Sequence, residues 1–236
     1  MSIRTKAQVR ARIQTKLADT AAVIWSTAEL DVYIQNGYDQ FTRLTNTIWE
    51  RKAIPDEVGF GVYDLPEGIT SLERVTWDDY RIDSIPTDVF LFQDRMFEQQ
   101  QGPVTNYMVD GDGFRKIRKI RVPSLAAATK FYVEYYRIGS KLVDTDTFEI
   151  PEHYVRAVVF FALGCARMRR GDGQDLKRAA AYMAKWQEVV DRANRRNQQV
   201  RKRMQPIVVG GGGRSIVRSR PPRPALPWNF GDVVPK

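Results

Sequence analysis

One histidine, His153, and one cysteine, Cys165, are all that the chain offers of the two residue types most often recruited for nucleophilic or metal chemistry. Both fall in EHYVRAVVFFALGCARM, a stretch of helical character. Twelve residues at about 100° each set them roughly 120° apart around a helix axis, so they cannot meet. A Cys–His pair, a Ser–His–Asp triad or a His-based metal site therefore cannot be assembled within one chain. His153 is read as a polar residue near a helix start and Cys165 as a core residue. The segment DTDTFEIPE concentrates Asp144, Asp146, Glu149 and Glu152. Paired carboxylates can do acid–base or metal work. Acids also gather at helix N-termini, where the dipole favours them, and that is the expectation. Asp110-Gly111-Asp112-Gly113 has the look of a calcium loop but lacks the downstream Glu, so it is read as a turn. The stretch IVVGGGGRS fails as a phosphate loop. It has no Gly-Lys-Ser/Thr ending, and Pro221 and Pro222 fall where the phosphate-binding helix would run. Without a helix N-terminus no dipole holds a phosphate. The sequence predicts no enzyme, no metal and no cofactor.

The C-terminal segment carries a different kind of chemistry. Gly210, Gly211, Gly212 and Gly213 precede arginines spaced among prolines, then a Trp and a Phe. Arg214, Arg218, Arg220 and Arg223 could neutralise nucleic-acid phosphates and release counterions, but no helix-turn-helix, zinc-finger or RNA-binding signature accompanies them. A phosphate-neutralising tail has no need of Ile216, Val217, Leu226, Trp228 and Phe230. Burying a Trp or Phe contributes about 2–3 kcal/mol, so these read as anchors for a protein pocket. RPPRPALP is stiff and extended, at about 3.1 Å per residue. The four glycines are a hinge that lets such an arm swing clear.

The elements that must carry the arm are legible from periodicity. TKAQVRARIQTKLAD places Val9, Ile13 and Leu17 on one helical stripe. Ser26 and Glu29 form a capping-box pattern behind Trp25, and Leu30, Ile34, Gly37, Phe41 and Leu44 continue a second helix to about Leu44. VGFGVYDLPEGITSLERVTWDDYRIDSIP reads as short strands punctuated by Pro-Glu-Gly and Asp-Asp turns. TDVFLFQDRMFEQQQ reads as a brief helix. VTNYMV, FRKIRKIRV and KFYVEYYRIG read as three more strands, the first two joined by Asp-Gly-Asp-Gly as a hairpin. In FRKIRKIRV the apolar residues Phe114, Ile117, Ile120 and Val122 do not alternate, which predicts a bulge or an exposed basic edge. Pro151 suits a first helical position, and the helix after it, apolar around most of its circumference, should be buried. A last long helix carries Leu176, Ala180, Met183, Trp186 and Val190 on one side. The expected class is α+β: residues 1–52 and 141–205 supply helices to one bundle, 53–140 form a β-rich insert, and 206–236 form an extended basic docking arm.

Hydrophobic content of 43% and aromatic content of 11% are globular values. The net charge of +9 is unevenly placed. From Arg192 onward eleven Lys or Arg face one acid, Asp232, a net of +10, which leaves residues 1–191 at −1. The body is near neutral and the basic character belongs to the end. One cysteine excludes an intrachain disulfide. The charged start MSIRTKAQVRARIQTKLAD has no signal-peptide core, and the longest apolar run is interrupted by arginines. A soluble protein made in the cytoplasm, without a membrane partner, is expected.

The order of these landmarks resembles the head–tail adaptor, or connector, proteins of tailed bacteriophages. VIWSTAELDVYIQNGYDQF is similar to that family's early helix, opened by Trp-Ser/Thr-x-x-Glu-Leu. VYDLPEGITSLERV is similar to its Tyr-x-Leu-Pro strand and turn, and GPVTNYMVDGD and KFYVEYYRIGSKL to its later strands. FEIPEHYVRAVVFFALGCARMRRGDGQDLKRAAAYMAKWQEVV resembles its closing helix pair. The likeness covers about residues 5–195 and lies in pattern and order. It departs at IRVPSL, where the family's strand carries paired prolines, and at the arm, which the family's core pattern does not match. The resemblance implies a virion structural protein in a homo-oligomeric ring, commonly dodecameric, beneath the portal protein at the capsid vertex. Such a ring extends the DNA channel, with non-specific contact to the DNA in it, and presents a surface to tail or neck proteins. Head-to-tail contacts between different faces of one chain close such a ring, and weak arms repeated around it bind tightly together. Arg214, Arg218, Arg220 and Arg223 would pair with acidic patches on the portal or a neighbouring ring, with Ile216, Leu226, Trp228 and Phe230 as anchors. The competing reading is a basic-tailed DNA-binding protein.

Overall fold

In a computed structural model, residues 5–55, 62–77, 80–84, 106–110, 116–120, 131–169 and 174–204 are described. The order is two helices, α1 (Lys6–Leu17) and α2 (Thr27–Thr45), seven strands, and two further helices, α3 (Glu152–Met168) and α4 (Leu176–Met204). The strands are β1 (Ile48–Ile54), β2 (Val62–Asp64), β3 (Ile69–Trp77), β4 (Tyr80–Ser84), β5 (Asn106–Asp110), β6 (Lys116–Ile120) and β7 (Phe131–Arg137). The class is α+β, as the sequence predicts. The brief helix expected over TDVFLFQDRMFEQQQ lies outside the described residues, as does the arm.

The helices form where the stripes say they should. Val9, Ile13 and Leu17 are all buried on α1. Thr5 starts that helix with a full capping box to Gln8, a Thr-x-x-Gln signal that the sequence reading passed over. At α2 only half of the expected box forms. Ser26 Oγ accepts from the Glu29 N–H at 3.2 Å, while the Glu29 carboxylate accepts instead from Tyr33 Oη (2.7 Å) and Arg169 Nη1 (2.8 Å). Leu30, Ile34, Gly37 and Phe41 are buried, but Leu44, expected on the same stripe, is 40% exposed. Pro151 is the cap of α3 rather than its first helical residue. Its ψ of 138° lies outside the helical range, and its carbonyl accepts from the Tyr154 N–H at 2.8 Å. On α4 the buried face runs through Ala179, Trp186, Val189, Val190 and Ala193. Leu176 and Ala180, expected there, are exposed.

One core joins residues of all four helices with Ile48, Leu142, Phe148 and Ile150. α3 lies at its centre, packed against α1, α2 and α4. Burial around nearly its whole girth is what its apolar circumference predicts. The second core belongs to the sheet and contains Tyr63, Leu65, Val75, Ile82, Tyr107, Phe131, Val133 and Tyr135.

Strand order is β1-β7-β3-β4-β5-β6-β2, antiparallel except for β4 with β5. The β5–β6 hairpin forms with Asp110 opposite Lys116. β6 is neither an edge nor bulged: it pairs with β5 on one side and β2 on the other, in unbroken register. The irregularities are in β3, where its register against β7 shifts between Ile69 and Ser71 and between Leu72 and Arg74. The first shift places Thr70 where its hydroxyl reaches Asn46 Oδ1 (2.9 Å) and the Tyr136 carbonyl (3.1 Å), tying the end of α2 to the sheet. β1, which the sequence reading did not separate from the N-terminal helices, lies at the sheet edge beside β7.

Candidate functional site

The residues predicted to dock on a partner, Arg214, Ile216, Arg218, Arg220, Arg223, Leu226, Trp228 and Phe230, lie outside the described residues, as do the hinge glycines Gly210, Gly211, Gly212 and Gly213. What the structure describes is the base they grow from. α4 packs along α3, with Trp186 against Phe161 at 5.4 Å between ring centroids. Near its far end Asn197 Nδ2 donates to the Thr45 carbonyl, the last residue of α2, at 2.7 Å. The chain leaves α4 on the side of the molecule where α2 hands over to the sheet.

The candidates for chemistry are held apart, as their spacing requires. His153 is exposed in the first turn of α3, its ring tilted against that of Tyr154 at 4.0 Å between centroids, and its Nε2 is 3.4 Å from Arg196 Nη1. Burial, Arg196 and Arg156 together lower its pKa. Cys165 is buried, and burial pushes its thiol up to about 12. Among the described residues no three His, Cys, Asp or Glu side chains stand close enough to hold a metal ion.

The acidic segment differs from its expected role. Glu152 does lie in the first turn of α3, where the dipole favours it. Asp144 and Glu149 instead hold arginines distant in sequence. Arg10 donates to both carboxylate oxygens of Asp31 (2.6 and 2.8 Å) and to Asp144 (3.2 Å from Nη1), and Lys6 Nζ adds Asp31 (3.2 Å) and the Leu142 carbonyl (3.1 Å). The hydrogen bond from Arg10 holds the Asp144 carboxyl below its ordinary value. The first N–H groups of α1 complete this end, Lys6 donating to the Asp146 carbonyl and Ala7 to that of Asp144, both at 3.2 Å. Arg137, the last residue of β7, grips Glu149 with two parallel bonds (3.1 and 2.9 Å) and Glu50 on β1 with a third (2.5 Å). Glu149 also accepts from Tyr38 Oη (3.1 Å) and from the Ser140 N–H (3.3 Å) and hydroxyl (3.1 Å). Burial alone would raise the Glu149 pKa, but the bonds from Arg137 and Ser140 more than reverse it. These two arginine clamps fasten the segment between β7 and α3 to both α1 and the sheet.

Two further surfaces stand out. On the outer face of the sheet Arg51 lies over the Tyr132 ring at 4.2 Å and pairs with Glu134 at 3.7 Å, beside Trp49, which is 51% exposed. At the meeting of α2 and the sheet, Arg43, Asn46, Gly68, Ile69, Thr70, Ser71 and Ile138 line an open cleft of about 280 Å³. Its lining can donate and accept hydrogen bonds but brings no base to a nucleophile. The geometry is that of a scaffold whose charged groups fix segments in place.

No helix among the described residues is long and apolar enough to cross a membrane. No curated protein matches the chain. The model of one protein family, described as SU10 adaptor protein, matches residues 4–210, which takes in all four helices and the whole sheet. That match, over most of the chain, carries one conclusion: the chain belongs to the SU10 adaptor protein family, a phage head–tail adaptor family, and has a structural role in the virion.

Proposed function

We propose that the protein assembles as a closed ring beneath the portal of a tailed phage, extends the DNA channel and presents the attachment surface for tail proteins. The observation that carries this reading is the family match over residues 4–210. In the proposed arrangement the helices from both ends of the chain make one bundle, the strands are an insert in it, and twelve near-neutral bodies pack head to tail without strong self-repulsion. The segment from Gly210 onward is an arm that docks on the portal or a neighbouring ring. Arg214, Arg218, Arg220 and Arg223 meet acidic groups there, and Ile216, Leu226, Trp228 and Phe230 fill apolar pockets. Repetition around the ring turns a weak single arm into tight attachment.

The test is deletion of residues 210–236. Full-length protein should cosediment with portal-bearing capsids and appear as a ring by electron microscopy of the vertex, and the truncated protein should stay in the supernatant. Equal cosedimentation of both would remove the arm from the attachment. Tight binding of the full chain to free duplex at physiological salt, lost on the same truncation, would instead favour the DNA-binding reading, which the net +10 from Arg192 onward supports.

A further inference from the structure

The start of α3 and the later turns of α4 meet in a seam of cations. His153 and Arg156 are both exposed, one turn apart on α3. Arg196, exposed on α4, brings Nη1 to 3.4 Å from His153 Nε2. A guanidinium only donates, so this contact requires a neutral ring with its proton on Nδ1. Burial first, then the charges of Arg196 and Arg156, hold the ring neutral to lower pH than usual. Arg195, also exposed, extends the cations along α4, and Arg192, one turn earlier, is held by Glu188 at 2.7 Å. Among the described residues no ion pair engages Arg156, Arg195 or Arg196. The nearest acids along the two helices are Glu152 and Asp191, and Asp191 accepts from Gln187 Nε2 at 2.9 Å.

The helix dipole does not account for these charges. It favours cations only in the last turn of a helix. Arg195 and Arg196 stand two turns before Met204, and Arg156 lies in the second turn of α3, toward the end that disfavours cations. Six of the eleven Lys or Arg from Arg192 onward fall within α4 with no acid among them, so over half of that basic charge belongs to the helix rather than the arm. A guanidinium crowded against a second cationic group contributes nothing to the fold, and an anion laid across the pair removes the repulsion. The surroundings select the kind of anion. Gln198 and Gln199 add exposed amides within the next turn. None of the large exposed apolar residues lies on α3, and the one on α4, Leu176, is about 30 Å away along the helix. A protein partner would require apolar or aromatic anchors at the centre of the contact. A phosphate backbone requires only donors such as Arg, Asn and Gln. The cations run over two helices, which suits a polymer carrying one charge per about 1.7 Å of axis.

We propose that this seam, formed by His153, Arg156, Arg195 and Arg196, binds the phosphate backbone of duplex DNA without reading its sequence. Its place in a DNA channel rests on the adaptor reading above, which it deepens by giving the folded body, and not only the arm, a contact with DNA. The experiment uses untagged full-length protein and a short mixed-sequence duplex. His153 is the only histidine, so its ring C–H proton gives one titrating NMR resonance. Duplex should shift that resonance and raise the pKa of His153, because a polyanion across the cluster favours the charged ring. Arg195→Gln/Arg196→Gln should weaken duplex binding about tenfold at physiological salt and lower the slope of log K against log salt by about 2. Lys177→Gln/Arg178→Gln removes the same charge from the other end of α4 and should leave both at wild type. All four positions are exposed, and a thermal melt checks that each variant keeps the fold. Absent duplex binding, an unmoved His153 resonance with duplex bound, or equal losses in the two double variants overturns the proposal. An equal His153 response to inorganic phosphate at matched phosphate concentration overturns it in favour of a free anion. Binding lost only when Arg214, Arg218, Arg220 and Arg223 are changed to Gln assigns DNA to the arm and overturns it too. So does wild-type duplex binding by Arg195→Gln/Arg196→Gln with capture on portal-bearing capsids lost, which reassigns the seam to an acidic protein. The adaptor reading fails separately: seam-dependent duplex binding by a full-length protein that such capsids do not capture removes that reading and leaves the seam standing.

Discussion

Arg137 and Arg10 show how much of the molecule hangs on single charged side chains. Arg137 is half-buried and reaches β1, the segment after β7 and, through Glu149, Tyr38 of α2. Arg137→Met should lower the unfolding free energy in urea at pH 7 by about 2 kcal/mol, the scale of hydrogen bonds to charged groups. The pH dependence has a definite sign. The Glu149 carboxyl lies below its ordinary value in the folded protein, so its contribution is complete above the unfolded pKa, about 4, and is lost as pH falls through the depressed folded value. Wild type and variant should therefore converge in stability as pH falls through that depressed value, and a gap of unchanged size across the acid range would mean that Arg137 acts by packing alone. The sequence shows that acids gather before α3 but not what they hold. Asp144 meets Arg10 across 134 positions and Glu149 meets Arg137 across 12, pairings fixed by the tertiary fold.

Helices were readable where a stripe faces one core and less so where two neighbours compete for it. The α4 stripe begins at Ala179, not Leu176, because α3 and α2 approach α4 from directions that periodicity cannot give. Sheet order was illegible for a related reason: β2 precedes β3 in sequence yet pairs with β6, so the irregular pattern of FRKIRKIRV belongs to a strand paired on both sides rather than to an edge. Glycines mark where elements touch closely, and their replacement by alanine should rank by what the new methyl group meets. At Gly139 it would lie 2.0 Å from Tyr38 Cε1, in a ring locked by Glu149 and Phe148, and at Gly37 2.9 Å from Phe161 Cδ1 at the α2–α3 crossing. At Gly164 its nearest neighbour is Met183 Sδ at 2.7 Å, the movable end of a flexible side chain. Gly139→Ala should be the most destabilising, Gly37→Ala should cost about 1–3 kcal/mol, and Gly164→Ala should be near neutral as better helix propensity offsets a small shift. Chemical denaturation of the three variants checks the order, and a Gly164→Ala protein as unstable as Gly139→Ala would contradict it.

At the scale of the whole molecule, the charge division was legible because charge simply adds along the chain, and family membership was legible because the order of motifs survives without knowledge of contacts. The exposure of Val23, between α1 and α2, was not. Its only trace in the sequence is the short apolar run Ala21-Ala22-Val23-Ile24 between two helices, and solvent exposure of such a run appears only once Asp19 is seen to hold it outward. The burial of Cys165 bears on how such ends can be studied. A thiol with a pKa of about 12 is ionised in only about one molecule in 10⁵ at pH 7, and the thiolate is the reactive form. Native protein should take up no maleimide in an hour at neutral pH, and one equivalent after denaturation, as counted by mass spectrometry. Uptake by the native form would show that α3 opens. A cysteine substituted for Val23 or Trp228 would then carry the sole fluorophore in an otherwise unaltered chain, so either end could be tracked by energy transfer as particles form.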